Sequence, residues 1–177
     1  MADTYETILS RRSCHRFKAD PIPEESLTRV LTAGTYAPCG MGKQSPIIVV
    51  FRGEKRNELS RLNRSFFPRA VPESFDPFYG APVVAVVLAR KDVGTYIYDG
   101  SLVMANMLLE AEDEGLGGIW IHRAKECFAS EAGKKMLLDL GIDPELYEGI
   151  GNCCLGYWGV DKQKPAPRKE DWIYFAD

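Results

Sequence analysis

Six side chains able to bind or polarise a ligand lie close together in the stretch RRSCHRF, residues 11–17. Three are arginines, whose guanidinium groups match phosphate oxygens in a bidentate fashion, and the Ser13 hydroxyl can add a further donor. The stretch follows a predicted helix, and the C-terminal end of a helix favours cations without any ligand. Taken alone, it fits either an anion site or a solvated basic helix end.

A second candidate is the turn APCGMGKQSP, residues 37–46, which precedes a predicted buried strand. Its glycines allow the main chain to approach a ligand closely, whereas side chains would block that approach. The spacing of a Walker loop is absent, so the stretch is not predicted to bind a nucleoside triphosphate. An ordinary connection between a helix and a strand would also account for it.

Two further stretches carry polar residues. In GLGGIWIHRAKE, residues 115–126, a buried strand runs into Ile121, His122 and Arg123, and ligands often bind at strand ends. The glycines precede that strand, so there is no dinucleotide-binding fingerprint. The stretch KPAPRKE, residues 164–170, is either a second anion-binding group or a solvated charge run.

Length and composition indicate one globular domain over residues 1–177, with 45% apolar and 27% charged residues. The net charge of −3 argues against nucleic acid as a partner. An odd number of cysteines and the lack of metal-ligand spacing predict neither a disulfide framework nor a metal site. Without a signal peptide or an apolar stretch long enough to cross a bilayer, we expect a cytoplasmic protein with no membrane partner.

The elements that must position these residues follow from periodicity and turn signals. The loop at 68–82, rich in proline and aromatic residues, predicts a packed flap whose role stays open. The aromatic tail 171–177 predicts a strand on an extended arm, suited to pairing with another sheet. We predict helices at 4–10, 23–37, 54–66, 99–114 and 130–142, and strands at 45–53, 83–89, 117–122 and 149–159.

The order of these motifs resembles the nitroreductase family of FMN-dependent oxidoreductases. The resemblance runs from Ile8 to Arg168: a helix ending in Arg-Arg-Ser, then APxGxxxQSP, then GLGxxWI, then a basic, proline-rich tail. It implies an α+β fold, with a mostly antiparallel sheet of four or five strands wrapped by helices. It also implies a homodimer that exchanges C-terminal arms and binds FMN at each end of its interface.

The resemblance assigns roles to the basic stretch. Arg11, Arg12 and Ser13 match the residues that contact the phosphate, the ribityl chain and the pyrimidine edge of FMN. His15 stands where the family usually has Lys or Arg beside the flavin O2. Losing that permanent charge is expected to lower the flavin reduction potential, because less positive charge stabilises the reduced flavin. Arg168 matches the tail residue that closes over the phosphate.

The remaining site residues come from two loops. Ile121, His122 and Arg123 fall on the loop whose backbone N–H groups approach the flavin N5. Gly42 and Ser45-Pro46 depart from the family pattern, which affects contacts to the dimethylbenzene side of the ring. The turn that lies against the flavin of the partner subunit supplies Pro38, Cys39, Gly40, Met41 and Gln44.

The implied activity is an NAD(P)H oxidoreductase that passes hydride through flavin N5 to an electron-poor acceptor such as a nitroaromatic, a quinone or an enone. The sequence shows no catalytic triad or paired carboxylates, which agrees with a cofactor that carries the chemistry. Two alternatives stay open. One is an FMN-sequestering regulatory protein with little catalysis, and the other is a thiol enzyme that uses Cys39 or Cys14 beside His15.

Overall fold

The computed structural model describes residues 3–176 and shows one antiparallel sheet, in the strand order β1-β2-β4-β3, wrapped by helices. The α+β class and the antiparallel sheet were therefore predicted correctly. A short 3-10 turn at Gly40–Gly42 precedes the first strand. The elements are α1 Thr4–Ser10, α2 Glu24–Thr35, β1 Pro46–Arg52, α3 Gly53–Ser65, β2 Val83–Arg90, α4 Tyr96–Asp113, β3 Gly117–Ile121, α5 Ala124–Ala129, α6 Glu131–Leu138 and β4 Tyr147–Gly156.

The central strand β2 is buried on both faces, which explains its uninterrupted apolar run. Successive side chains of a strand point to opposite faces, so alternate residues of β2 join different cores. Val84 and Val86 pack in the core that includes Leu59 of α3 and Phe128 of α5. The alternate residues of β2 pack in the second core, beneath α2 and α4.

Some predicted boundaries were wrong. Helix α4 begins at Tyr96, three residues before the predicted start at 99. The last strand runs from Tyr147 to Gly156, earlier at both ends than predicted. Helix α5 was not predicted at all, because its 6 residues are too few to show a helical period.

The loop at 68–82 is a packed flap, as predicted. Arg56 Nη2 and Ser60 Oγ of α3 donate to the Asp76 carboxylate at 2.5 and 2.7 Å. The main-chain N–H groups of Phe78 and Gly80 donate to the same carboxylate at 3.0 and 2.8 Å. Burial opposes ionisation of Asp76, but these hydrogen bonds outweigh it and hold its pKa below the usual value.

The tail beyond β4 is extended and exposed, and residues 171–176 form no strand with the rest of the described chain. The predicted strand at 171–177 is thus not formed by residues 171–176, and its last residue lies outside the described part. Strand β1 is an edge of the sheet, with no further strand beyond it in residues 3–176. The other edge, β3, is partly covered by a bridge between Ser13 and Gly118. Within the described chain, no helix has the length and apolarity that crossing a bilayer would require.

Candidate functional site

Arg11, Arg12 and Ser13 lie where helix α1 meets the edge of β3. Arg11 caps the helix, and the bridge from Ser13 to Gly118 fixes the chain beside the strand. Arg12 Nη1 donates to the main-chain oxygen of Arg11 at 2.5 Å, but its Nε is buried and has no partner within residues 3–176. A buried donor without an acceptor is unfavourable, so this N–H is suited to an anionic ligand.

The next residues place His15 and Cys14 in different environments. His15 is exposed and meets the Tyr79 ring edge to face, with 5.3 Å between the ring centroids. Cys14 is buried, and its Sγ donates to the main-chain oxygen of Arg16 at 3.0 Å. Burial raises the pKa of the Cys14 thiol, which removes Cys14 as the nucleophile of a thiol enzyme.

The glycine-containing turn is organised by Asp99 of α4, a residue that the sequence reasoning missed. The buried Asp99 carboxylate accepts from Gly40 N–H at 3.0 Å, Ser45 Oγ at 2.9 Å and Thr95 Oγ1 at 3.1 Å. Burial opposes its ionisation, yet the hydrogen bonds prevail and hold the pKa of Asp99 below its usual value. The turn is therefore anchored to the first turn of α4 through a buried carboxylate.

The backbone of this turn is strained and open to ligands. Met41 and Gln44 have φ angles of 55° and 46°, in the left-handed region that side chains disfavour. Gln44 N–H donates to Cys39 Sγ at 3.3 Å. A Cβ at Gly40 would lie 2.2 Å from Thr95 Oγ1, so only glycine fits there. Met41 is 83% exposed, and the turn borders an apolar groove of about 480 Å³ between α2 and β1.

Two fully buried asparagines, which the sequence interpretation also missed, anchor the loop at residues 121–123. Asn63 of α3 and Asn152 of β4 donate to the His122 main-chain oxygen at 2.8 and 3.0 Å. Asn152 also donates to the Ile121 oxygen at 3.0 Å. Arg123 has a φ of 74°, which fixes the loop in a conformation rare for a residue with a side chain.

The structure brings the predicted residues into two groups at opposite edges of the sheet. Residues 11–15 run beside β3, and the loop 121–123 continues from the end of that same strand. The turn at 38–44 instead precedes β1, at the other edge. Arg168 is exposed and makes no hydrogen bond or ion pair with residues 3–176. The described chain thus holds the candidate site residues in two groups and does not join them.

Comparison with known proteins shows which family the chain resembles. The sequence profile of the nitroreductase family matches residues 8–157. The chain is 33% identical over 165 residues to an NADPH-flavin oxidoreductase of Vibrio harveyi, covering 89% of this chain and 66% of the relative. A putative NADH dehydrogenase/NAD(P)H nitroreductase of Methanothermobacter thermautotrophicus is 28% identical over 127 residues, covering 67% of this chain and 60% of the relative. The chain therefore spans about two thirds or less of the length of these two relatives.

Solved structures agree on the fold. A nitroreductase with bound FMN from Bacteroides fragilis superposes with a TM-score of 0.90 at 24% identity, covering 100% of both chains. A nitroreductase with bound FMN from Desulfitobacterium hafniense gives a TM-score of 0.86, again at 24% identity and 100% coverage of both chains. The fold is that of nitroreductases. With the profile match over most of its length, the chain belongs to the nitroreductase family.

Proposed function

We propose that the protein is an FMN-dependent NAD(P)H oxidoreductase that reduces an electron-poor acceptor such as a nitroaromatic, a quinone or an enone. The observation that carries the proposal is the buried, unpartnered Nε of Arg12 beside Arg11. A phosphate dianion would accept hydrogen bonds from both guanidinium groups, which belong to adjacent residues of a chain whose net charge is −3. The names of the relatives, an NADPH-flavin oxidoreductase among them, point the same way.

The side chains supply binding and orientation, while FMN, when bound, supplies the hydride chemistry between NAD(P)H and the acceptor. The phosphate end of FMN would bind to Arg11, Arg12 and Ser13. His15 would donate a hydrogen bond to the pyrimidine edge of the flavin. The loop 121–123 offers its main chain to the reacting side of the ring. Its two asparagine anchors and the strained Arg123 keep that main chain from moving, which favours a preorganised site.

A homodimer would join the two groups of site residues that one protomer keeps apart. The helices that carry or border them expose large apolar side chains: Tyr5, Ile8 and Leu9 on α1, and Ile97, Tyr98 and Leu102 on α4. Apolar surface of this extent is typical of a protein–protein interface. In the dimer, the 38–44 turn of the partner would lie against the flavin held by residues 11–15.

Arm exchange would cover the remaining apolar surface. Trp172, Ile173, Tyr174 and Phe175 are 64% to 86% exposed, which is unusual for four consecutive large apolar residues. The edge strand β1 offers unpaired main-chain groups. The arm of one protomer would therefore add a fifth strand to the sheet of the other and carry Arg168 toward the phosphate of the bound FMN.

The test is an absorbance spectrum of the purified protein reconstituted with FMN and dialysed, followed by anaerobic addition of NADH or NADPH. Retained yellow colour that bleaches rapidly is the expected result. Retained colour without bleaching by either nucleotide would favour the FMN-sequestering alternative instead. Protein that retains no FMN would contradict both.

A further inference from the structure

A second basic surface lies at the C-terminal end of α3, and Arg123 is the residue that it shares with loop 121–123 of the proposed FMN site. It consists of Arg64 and Arg69, which line one groove with Phe67, and of Arg123, whose guanidinium lies over the Phe67 ring, and we call it the α3 arginine cluster. An open, largely polar groove of about 420 Å³ runs along it, with the Ser65 hydroxyl on its wall. The other lining residues are Arg61, Phe67, Pro68, Ala70 and Val71.

No carboxylate of residues 3–176 forms an ion pair with the three guanidinium groups of this cluster. Arg64 Nη1 donates to the main-chain oxygens of Glu73 and Phe75, the latter at 3.4 Å. Arg123 Nε donates to the Phe66 oxygen at 3.2 Å. Arg69 is exposed and makes no hydrogen bond or ion pair in the described part of the chain. Three guanidinium groups without an acidic partner make a local positive field in a chain that is acidic overall.

Neighbouring acidic groups leave this field in place. Within the groove lining, Arg61 is the arginine that is neutralised, by Glu54 at 2.7 Å. Glu73 lines the adjoining groove, together with Arg56 and Asp76. The Asp76 carboxylate already forms an ion pair with Arg56. Arg69 is therefore an exposed arginine of this groove that pairs with no carboxylate of residues 3–176.

The cluster is physically continuous with the proposed reacting loop. The Arg123 guanidinium lies over the Phe67 ring at 4.0 Å from its centroid, and Arg123 also ends the loop at 121–123. Asn63, one residue before Arg64, anchors the His122 oxygen. A ligand that lies over that loop is therefore next to Arg123, the member of the α3 arginine cluster that adjoins the loop.

We propose that the α3 arginine cluster binds the 2′-phosphate of NADPH and makes the protein prefer NADPH over NADH. This inference rests on the proposed function, because it needs the nicotinamide to react beside loop 121–123. Arginine forks match a phosphate monoester, and Arg69 is free to turn toward it. NADH lacks that phosphate and would leave the cluster without its ligand.

The first test measures binding and needs no turnover. Isothermal titration of the FMN-loaded full chain with 2′,5′-ADP and with 5′-AMP compares two nucleotides that differ in the 2′-phosphate. We expect 2′,5′-ADP to bind at least about tenfold more tightly, and the Arg69→Ala variant to lose that difference. Equal affinities in the unmodified protein, or an undiminished difference in Arg69→Ala, would overturn the proposal.

The second test separates the 2′-phosphate from the pyrophosphate that NADH and NADPH share. In Arg69→Ala, kcat/KM for NADPH should fall at least about tenfold, with NADH changed less than about twofold. Arg90→Ala, which removes a surface guanidinium paired with Asp92, is the matched control and should change neither value. Equal losses for both nucleotides would assign Arg69 to the pyrophosphate and contradict the proposal.

The two proposals fail in different ways. If NADH and NADPH both leave FMN-loaded protein oxidised, the oxidoreductase proposal fails while the nucleotide titration still reports on the α3 arginine cluster. If both nucleotides bleach the flavin but Arg69→Ala alters neither binding nor kcat/KM, the cluster proposal alone fails. The Arg69→Gln variant keeps a polar side chain at the same exposed position. A loss that Arg69→Ala and Arg69→Gln share is therefore due to the missing charge and not to altered folding.

Discussion

Single side chains explain most of the proposed ligand binding, and Arg12 is the clearest case. Its Nη1 donates a hydrogen bond within the fold, while its Nε is buried without a partner among the described residues. A group of this kind contributes little to folding by itself, since its hydrogen bond to water is lost and not replaced. It contributes to binding when an anion arrives.

Replacing Arg12 with Ala therefore separates binding from stability. We expect FMN affinity to fall by about 1.5–3 kcal/mol, or roughly 10–150-fold, as one charge-assisted hydrogen bond is lost. Stability of the FMN-free protein toward urea should fall by no more than about 0.5–1.5 kcal/mol, because only the Nη1 hydrogen bond to the Arg11 oxygen is lost and Nε has no partner in residues 3–176. Equilibrium dialysis and urea unfolding measure the two effects, with Arg90→Ala as the control. Unchanged FMN affinity would count against the phosphate site.

His15 tests how charge tunes the site. The side chain is exposed and near the Tyr79 ring, so a longer side chain can be accommodated. His15→Lys should raise the two-electron midpoint potential of bound FMN by about 20–40 mV, because a permanent cation stabilises the reduced flavin. His15→Gln, which adds no charge, is the control. Spectroelectrochemical titration showing no shift or a decrease in His15→Lys would refute this role.

At the scale of elements, buried polar residues hold the loops that the sheet and helices present. Asp99 connects α4 to the glycine turn, and Asn63 and Asn152 connect α3 and β4 to loop 121–123. These connections join residues far apart in the chain, since Gly40 and Asp99 lie 59 positions apart. The site loops are thus positioned by long-range pairs and not by their own sequences.

Asp99→Asn should destabilise the protein by about 1–3 kcal/mol at pH 7, since a buried charge-assisted network is weakened. The sign of the pH dependence follows from the lowered pKa of Asp99 in the folded state. Its stabilising contribution is present above the unfolded value of about 3.9 and is lost as pH falls through the folded value. Urea unfolding should therefore show a gap in unfolding free energy between the two proteins that begins to narrow only as the pH falls from about 5 to 3.5. A gap that stays constant or widens would contradict this.

The sequence predicted what depends on local pattern and missed what depends on distant partners. The apolar run of β2 and the glycine and proline signals around the 37–46 turn are local, and they located those elements correctly. Helix α5 was missed because 6 residues show no period. Asp99 was interpreted as the start of a helix, and nothing near it in the chain shows that its carboxylate binds Gly40 and Ser45.

At the scale of the whole molecule, the sheet separates the predicted site into halves. Residues 11–15 and 121–123 lie along β3, while the 38–44 turn lies before β1 at the opposite edge. The sequence alone does not show that the two groups lie at opposite edges of the sheet, because strand order is a tertiary property. This separation, together with the exposed apolar surfaces of α1, α4 and the tail, is the physical argument for a dimer.

The tail offers a direct test of arm exchange. Trp172 and Phe175 are 64% and 86% exposed in the single chain. If each is buried against the partner, each contributes about 1.5–3 kcal/mol to association. Changing both to Ala should then raise the dimer dissociation constant on the order of 100-fold or more. Sedimentation measures this, with Tyr36→Ala, another exposed aromatic outside the tail, as the comparison. An unchanged dissociation constant would rule out the exchange.

The central claim is that one FMN site is built from residues 11–15 of one protomer and the 38–44 turn of its partner. Mixed dimers test it most directly. Arg12→Ala disables one half, and Gly40→Ala displaces the other, because the added Cβ would meet Thr95. Either variant alone should retain little FMN. Co-expressed with different tags and purified through both, the mixed dimer has one site with both halves intact, and should bind about one FMN per dimer at the unmodified affinity. Mixed dimers that bind FMN no better than either variant alone, or single variants that retain it fully, would contradict the account.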